Sequence, residues 1–345
     1  MLAAVNKSAA RLKHAVNIME VCGTHTNAIA RAGLKKVLSK KINLISGPGC
    51  PVCVSSDIDL WRAVNLAARP GVIICTFADM LRVPDICGGS LAAAKTDGAD
   101  VRVVYSPLDA VSLARKTKKN VVLIAAGFET TAPSVAAVIL QAAKLKLKNF
   151  FVFPMLKLIN PAVKTLLDGD NDIDAFLLPG HVSLMLGLEP YKFIAREYKK
   201  PGVVGGFAAE EILAALEKII SQINGGRAEI ENAYPPVRAD GNPAARGIMF
   251  KVFTPYGALW RGLGKIKNSG LKIKKEFAAF DALAKFKFPP PPKIKQSGCK
   301  CGAVLAGKIT PKQCNLFSKK CTPQKPLGPC MVSGEGACRA LYENR

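Results

Sequence analysis

The sequence predicts an α/β protein built as two similar lobes with mainly parallel sheets, followed by a small cysteine-rich C-terminal domain. Three observations predict it. Short β-branched runs alternate with helical stretches from Asn17 to about Ile220, the pattern of βα units laid on a parallel sheet. The 345 residues exceed one average domain, and the basic turn Lys116–Asn120 falls midway through the alternation. Six of the eleven cysteines crowd into the stretch from Cys299 to Cys338.

Taken in order, the first four strands are expected at Asn17–Val21, Ile42–Ile45, Val72–Cys75 and Val101–Tyr105, with helices such as Asp57–Ala68 and Asp109–Lys116 between and after them. The next four are expected at Val121–Ala125, Phe150–Phe153, Ala175–Leu178 and Gly202–Val204. The first lobe is therefore placed at 1–118 and the second at 119–225. Beyond Ile223 the pattern breaks at Gly225-Gly226, Pro235-Pro236 and Gly241-Asn242-Pro243, then resumes at Gly247–Phe253, so 226–288 is read as a segment returning to pack on the lobes, the first in particular. Phe288 and the prolines 289–292 read as a stiff extended spacer into a last domain at 289–345.

Hydrophobic residues make up 49% of the chain, enough for a sizeable core. No run offers the roughly 18 apolar residues of a membrane span, and Met1–His14 lacks the apolar region of a signal peptide. A soluble, cytoplasmic protein without a membrane partner is expected. In a reducing compartment clustered cysteines point to metal binding or redox chemistry rather than a disulfide framework. Lys and Arg total 49 against 25 Asp and Glu, a net charge of +24. The lysines are scattered, densest from Lys265 to Lys300, and no recognition motif accompanies them, so a solvated surface or an acidic protein partner is read in preference to nucleic acid.

The unusual residues fall directly after strands, where ligands bind in open α/β sheets. Cys22-Gly23-Thr24-His25-Thr26 offers a thiolate and an imidazole. Gly47-Pro48-Gly49-Cys50-Pro51-Val52-Cys53 carries a C-x-x-C pair that can close a disulfide or chelate a soft metal. Glu129 in Gly127-Phe128-Glu129-Thr130-Thr131 can orient a ligand, take a proton from a thiol or pair with His181 of Pro179-Gly180-His181-Val182-Ser183, while its threonines equally suit plain helix capping. Cys22, His25, Cys50, Cys53, Glu129 and His181 are thus the candidate reactive set.

In the terminal stretch Cys299, Cys301, Cys314, Cys321, Cys330 and Cys338 are interleaved with glycine and proline, without the two close C-x-x-C pairs of a zinc knuckle. A cubane iron–sulfur cluster takes four thiolates. Two cysteines are left over, and a pair beside a cluster is placed to exchange electrons with it.

Taken together, Met19–Thr26, Ser46–Val54, Asp79–Pro84, Tyr105–Ala110, Gly127–Pro133, Pro179–Ser183, Trp260–Gly264 and Cys330–Cys338 resemble the HypD family of hydrogenase maturation factors across nearly the whole chain. The resemblance implies a part in making the Fe(CN)2CO group of [NiFe]-hydrogenases, with iron held between this chain and the small chaperone HypC, cyanide delivered by HypE with HypF, and a [4Fe-4S] cluster in the C-terminal domain. It implies that Cys22 is the iron-site cysteine, His25 a cleft residue near it, and Cys50 and Cys53 the redox pair. Cys314, Cys321 and Cys338 look like cluster ligands, with Cys299 taken as the fourth, Cys301 and Cys330 as alternates, and Glu335 supporting the cluster or its loop. Two positions depart from the family pattern: Asn27 stands where a second histidine is common, and Gly206-Phe207-Ala208-Ala209 replaces a Gly-Phe-Glu-Pro loop.

The expected function is an assembly scaffold with redox participation. A cluster-linked thiol–disulfide oxidoreductase acting on a protein disulfide is the alternative, and a zinc-bearing nucleic-acid binder a distant third. With no phosphate-cradling Walker loop, the chain is not expected to spend ATP itself.

Overall fold

The computed structural model describes residues 1–293 and 298–344. All eight expected strands are present: β1 (Val16–Glu20), β2 (Ile42–Ser46), β3 (Val72–Thr76), β4 (Asp100–Val103), β5 (Asn120–Gly127), β6 (Phe150–Leu156), β7 (Ala175–Pro179) and β8 (Gly202–Gly205). A short β9 (Ile230–Asn232) and an antiparallel hairpin, β10 (Phe253–Trp260) with β11 (Gly264–Ile273), follow. The strands form two parallel sheets, ordered β2-β1-β7-β8-β9 and β4-β3-β5-β6.

This pairing overturns the boundary expected at 118/119. β7 pairs with β1, placing Ile18 opposite Ala175, and β3 pairs with β5, placing Ile74 opposite Val122. The chain therefore enters the first lobe, completes the whole second lobe with β3 to β6, and returns to the first with β7. Local periodicity locates each strand, but which strand it sits beside is decided by contacts over 150 residues away in sequence, as in the Asn17 to Asp174 hydrogen bond.

Strand alternation shows how the lobes join. On the second sheet Ile73, Cys75, Val121, Leu123 and Val152 face one core while Val72, Ile74, Val122, Ile124, Phe151 and Phe153 face another. The latter core also takes Met19, Phe176, Leu178 and Val204 from the first sheet. One shared apolar core thus lies between the sheets, and Cys50, Cys53, Trp260, Cys301 and Cys330 are part of it.

The 226–288 segment packs on both lobes: β9 adds to the first sheet beside β8, and Met249, Val252, Phe253, Leu271 and Ile273 join the outer core of the second. Where the pattern resumes, residues Pro243–Val252 are helical. Asn242 caps that helix, its side chain accepting from Ala245 N at 3.0 Å, and Pro243 occupies the first turn.

The spacer is pinned at its start, since Phe286 and Phe288 stack edge-on against Phe151 and Phe153. Residues 294–297 of the terminal region lie outside the described residues. From Gly298 onward the chain is a compact set of turns and short helices, including Cys301–Leu305 and Ala337–Glu343. Among the described residues no helix is long and apolar enough to cross a membrane.

Candidate functional site

The loop after β1 delivers Cys22 as the residue preceding the helix Gly23–Arg31, in extended conformation. The loop after β2 runs directly over it. A Cβ at Gly49 would lie 2.5 Å from both the Cys22 Cα and N, and the Gly23 amide donates to the Gly49 carbonyl at 3.1 Å. Only a glycine permits that approach, so the glycine before the C-x-x-C pair exists to set the pair against Cys22. Cys50 and Cys53 are joined as a disulfide and both are buried. Burial pushes the Cys22 thiol up, while the His25 and Thr24 groups at the helix start favour the thiolate against it.

His25 is fully buried. Its Nε2 donates to the Gly206 carbonyl at 2.8 Å and meets the Gly205 carbonyl at 3.2 Å, tying the Cys22 helix to the end of β8. Carbonyls only accept, so the proton sits on Nε2, and Nδ1 has no partner. Burial lowers the ring pKa to about 4. The expectation of a cleft imidazole is thus corrected: His25 is an internal tie. His181 is exposed and stacks at 4.1 Å on Phe207, which also meets His25 at 4.8 Å and Tyr234 at 6.1 Å. The departing Gly206–Ala209 loop therefore separates the two histidines with an aromatic ring.

Glu129 follows β5 and is buried. Its Oε1 accepts from Ile159 N at 2.9 Å, capping the helix Ile159–Asp168, and Oε2 has no partner. His181 is not its partner. Burial raises its pKa to about 7, well above the usual carboxylate range. Buried Tyr191, 3.3 Å from the Ser183 hydroxyl, lies within electrostatic reach of both Glu129 and Cys22.

Cys299, Cys301, Cys314, Cys321, Cys330 and Cys338 line one small apolar chamber with Leu316, Phe317 and Met331. Among the described residues no three His, Cys, Asp or Glu side chains converge on a single-ion site; these thiols surround a space instead. Cys299 hydrogen-bonds with Cys301, and Cys301 with Cys330. Burial pushes the Cys338 and Cys321 thiols up.

Three motifs dock this chamber on the lobes. From the Asp79–Pro84 stretch, Arg82 donates to the carbonyls of Pro323 and Gln324 at 2.9 and 3.0 Å. Gly262 of the β10–β11 turn lies face to face with Gly302, beside Cys301. Thr24 donates to Glu335 at 2.6 Å and Asn27 to the Gly334 carbonyl at 2.8 Å. Asn27 thus holds the terminal loop.

The sequence profile described as "HypD: Hydrogenase formation hypA family" matches residues 1–345. The chain belongs to the HypD family. It is similar to the hydrogenase maturation factor HypD of Azotobacter vinelandii, 43% identical over 339 residues, covering 96% of this chain and 89% of that protein. The HypD of Escherichia coli K12 is 43% identical over 334 residues, with 96% and 89% covered, and that of Cupriavidus necator 42% over 351, with 99% and 93%. Within this HypD-family chain the structure brings Cys22, Cys50, Cys53 and Glu335 together and gathers all six terminal cysteines, but it separates His25 from His181.

Several residues carry roles that the sequence reading did not assign. Tyr191 was not singled out, and Phe207 stood only in a departing loop; both matter because of where the fold puts them. Glu20 is another: fully buried, it accepts from Thr26 at 2.7 Å and pairs with Lys35 at 2.9 Å, fixing the helix that carries Cys22. An acidic residue inside a strand, just before a motif cysteine, was the available signal.

Proposed function

We propose that this chain is a scaffold on which the iron group of a [NiFe]-hydrogenase is assembled, with Cys22 holding the iron and the Cys50–Cys53 pair beside it as a two-electron store. The observation that carries this reading is the backbone contact between Gly49 and Cys22. It brings the backbone of the C-x-x-C loop against that of Cys22, a free cysteine, which supports a shared role for the three. Opening the disulfide takes two electrons and two protons and leaves two thiols; closing it returns them.

The chamber fits an iron–sulfur cluster by its donor set: several thiols around an apolar space, where the cluster's soft iron supplies the counter-charge that buried thiolates lack. Cys299, Cys314, Cys321 and Cys338 would hold a [4Fe-4S] cluster, which when bound supplies single electrons. That choice leaves Cys301 and Cys330, hydrogen-bonded to each other and sharing the core that contains Cys50 and Cys53, as the pair nearest the lobes. Glu129, its pKa raised by burial to about 7, is a group suited to exchange protons near neutral pH.

Cys22 supplies one ligand, so a partner must complete the iron site. A small chaperone of the HypC kind fills that role in this reading, with HypE and HypF providing cyanide, and carbon monoxide completing the iron group. A free-standing oxidoreductase acting on a protein disulfide fits less well, since Cys50 is 2% exposed and Cys53 0%, leaving no sulfur for a protein target to reach.

The test is anaerobic purification with and without such a chaperone, reading visible and Mössbauer spectra and the infrared bands of cyanide and carbonyl. Cluster signals throughout, with infrared bands that need the partner and vanish in Cys22→Ala, support the scaffold. A cluster without those bands in the presence of a full partner set would turn the reading towards plain thiol redox chemistry.

A further inference from the structure

A cleft opens between the first lobe and the terminal domain, and none of the cysteines lines it. Its volume is about 410 Å³, within the range of roughly 300–1,000 Å³ in which proteins hold ligands. Thr26, Ile29 and Ala30 form one wall, at the spacing of a single face of the helix that follows Cys22. Ala337, Ala340 and Leu341 form a second, on one face of the last helix. The third is β2, through Leu44, Ile45 and Ser46. Gly307, at φ 73°, seats the terminal domain on that strand, since a Cβ there would lie 2.9 Å from Ile45 Cδ1.

β2 is the outermost strand of its sheet. The Val16 amide donates to the Lys41 carbonyl and the Gly47 amide to the Glu20 carbonyl, so the odd-numbered residues of this stretch bond to β1. Leu44 and Ser46 therefore turn their backbone groups outward, on the side without a neighbouring strand. The Leu44 carbonyl agrees, because it accepts from Lys35 Nζ at 2.8 Å rather than from a strand amide. Outward amide and carbonyl groups at a sheet edge are a template for an extended peptide.

The charge around the cleft has one sign. Lys35, Lys36, Lys308 and Lys312 are exposed at its rim, and among the described residues no Asp or Glu lines it. Lys35 is held by buried Glu20 at 2.9 Å, and Lys308 reaches the exposed Asp170 at 3.4 Å. Lys36 and Lys312 have no carboxylate partner among the described residues.

We infer that this cleft docks a partner protein through a short extended segment that alternates apolar and acidic side chains. The segment's backbone pairs with the Leu44 amide and with Ser46, its apolar side chains enter between Ile29, Ala30, Ala340 and Leu341, and its carboxylates meet Lys36 and Lys312. Alternation suits a strand, whose successive side chains point to opposite sides. A small free anion would satisfy the lysines but leave the strand edge unused. The inference does not depend on the iron-assembly reading, since it uses none of the cysteines.

The experiment selects binders of the full-length protein, purified without oxygen, from a phage-displayed library of random dodecapeptides; enriched peptides are synthesised and their binding is read by fluorescence anisotropy. Wild type is expected to enrich peptides that alternate Asp or Glu with Val, Ile or Leu. Lys36→Glu combined with Lys312→Glu should weaken them by about tenfold or more, and Ala30→Trp, which fills the cleft, should abolish binding. Lys144→Glu with Lys148→Glu, the same charge change on exposed lysines of the second lobe, should leave binding near wild type. Melting temperatures check that each variant is folded; should Ala30→Trp fail, the charge reversals at exposed positions carry the test. Absence of enrichment, enriched peptides without acidic residues, or equal weakening by the two charge-reversed pairs overturns the inference. A wild-type dimer that Ala30→Trp turns into a monomer, seen by light scattering, would seat a second copy of the chain in the cleft and overturn it as well.

Discussion

The Thr24 hydroxyl donates to the Glu335 carboxylate across 2.6 Å and 311 residues of sequence. It links the first turn of the Cys22 helix to the loop between Cys330 and Cys338. Burial is the main reason the Cys22 thiol is raised, and the nearby Glu335 charge adds to it. Glu335→Gln should therefore lower that thiol and speed its alkylation at pH 8 several-fold, read by mass spectrometry of iodoacetamide-treated protein. An unchanged rate would mean that the Glu335 charge does not reach the sulfur.

Glu129 gives a stability signature. Its pKa is about 7 in the folded chain against 4.5 when exposed, so the folded state binds this proton more tightly. Stability from this group is complete below pH 4.5 and is lost as pH rises towards 7, by roughly 3 kcal/mol. Glu129→Gln removes the loss. Urea unfolding should show the variant gaining on wild type between pH 5 and pH 8.

His25 has the opposite sign. Its pKa falls from 6.5 to about 4 on burial, so the unfolded chain takes up the proton first and stability drops as pH falls from 6.5 towards 4, again by roughly 3 kcal/mol. Between about 4.5 and 6.5 the two groups offset each other, and their joint contribution is flat. Single substitutions unmask the slopes: His25→Gln should leave stability falling with rising pH across that interval, and Glu129→Gln should leave it rising. Parallel slopes in the two variants would refute the assignment.

These two residues also show what the sequence could and could not reveal. Both were legible as candidates because each follows a strand in a polar loop. That His25 would turn inward to the Gly205 and Gly206 carbonyls, and that Glu129 would cap a different helix at Ile159, depends on elements brought together from distant parts of the chain. The strands were readable from β-branched runs bounded by turn residues, as at Val72–Thr76. Their division into lobes was not, because β1 finds its neighbour in β7. The Asn242-Pro243 helix start was a local signal misread as part of a loop, whereas β9, three half-buried residues, offers too short a pattern to detect.

Gly49 tests the contact on which the proposed function rests. Its Cβ would strike the Cys22 backbone and the Val21 carbonyl, none of which can yield like a flexible side chain. Gly49→Ala should cost about 1–3 kcal/mol in urea unfolding and move the disulfide loop away from Cys22, seen as faster alkylation of that thiol. Wild-type stability and reactivity together would show that the loop has room to spare.

The chamber separates four cysteines from two by their surroundings. Cys301 and Cys330 hydrogen-bond to each other and belong to the core that holds Cys50 and Cys53, whereas Cys314 and Cys321 lie outside it and Cys299 and Cys338 only border it. A cluster needs four thiolates, and losing any one ligand exposes iron to water and oxygen. Serine at 299, 314, 321 or 338 should therefore abolish the visible absorbance of anaerobically purified protein. Serine at 301 or 330 should retain it while slowing reduction of the Cys50–Cys53 disulfide, followed by thiol trapping after a reductant is added. Bleaching by Cys301→Ser with survival in Cys299→Ser would exchange the roles of those two residues, which sit on one short turn and differ chiefly in how far each reaches into the lobe core.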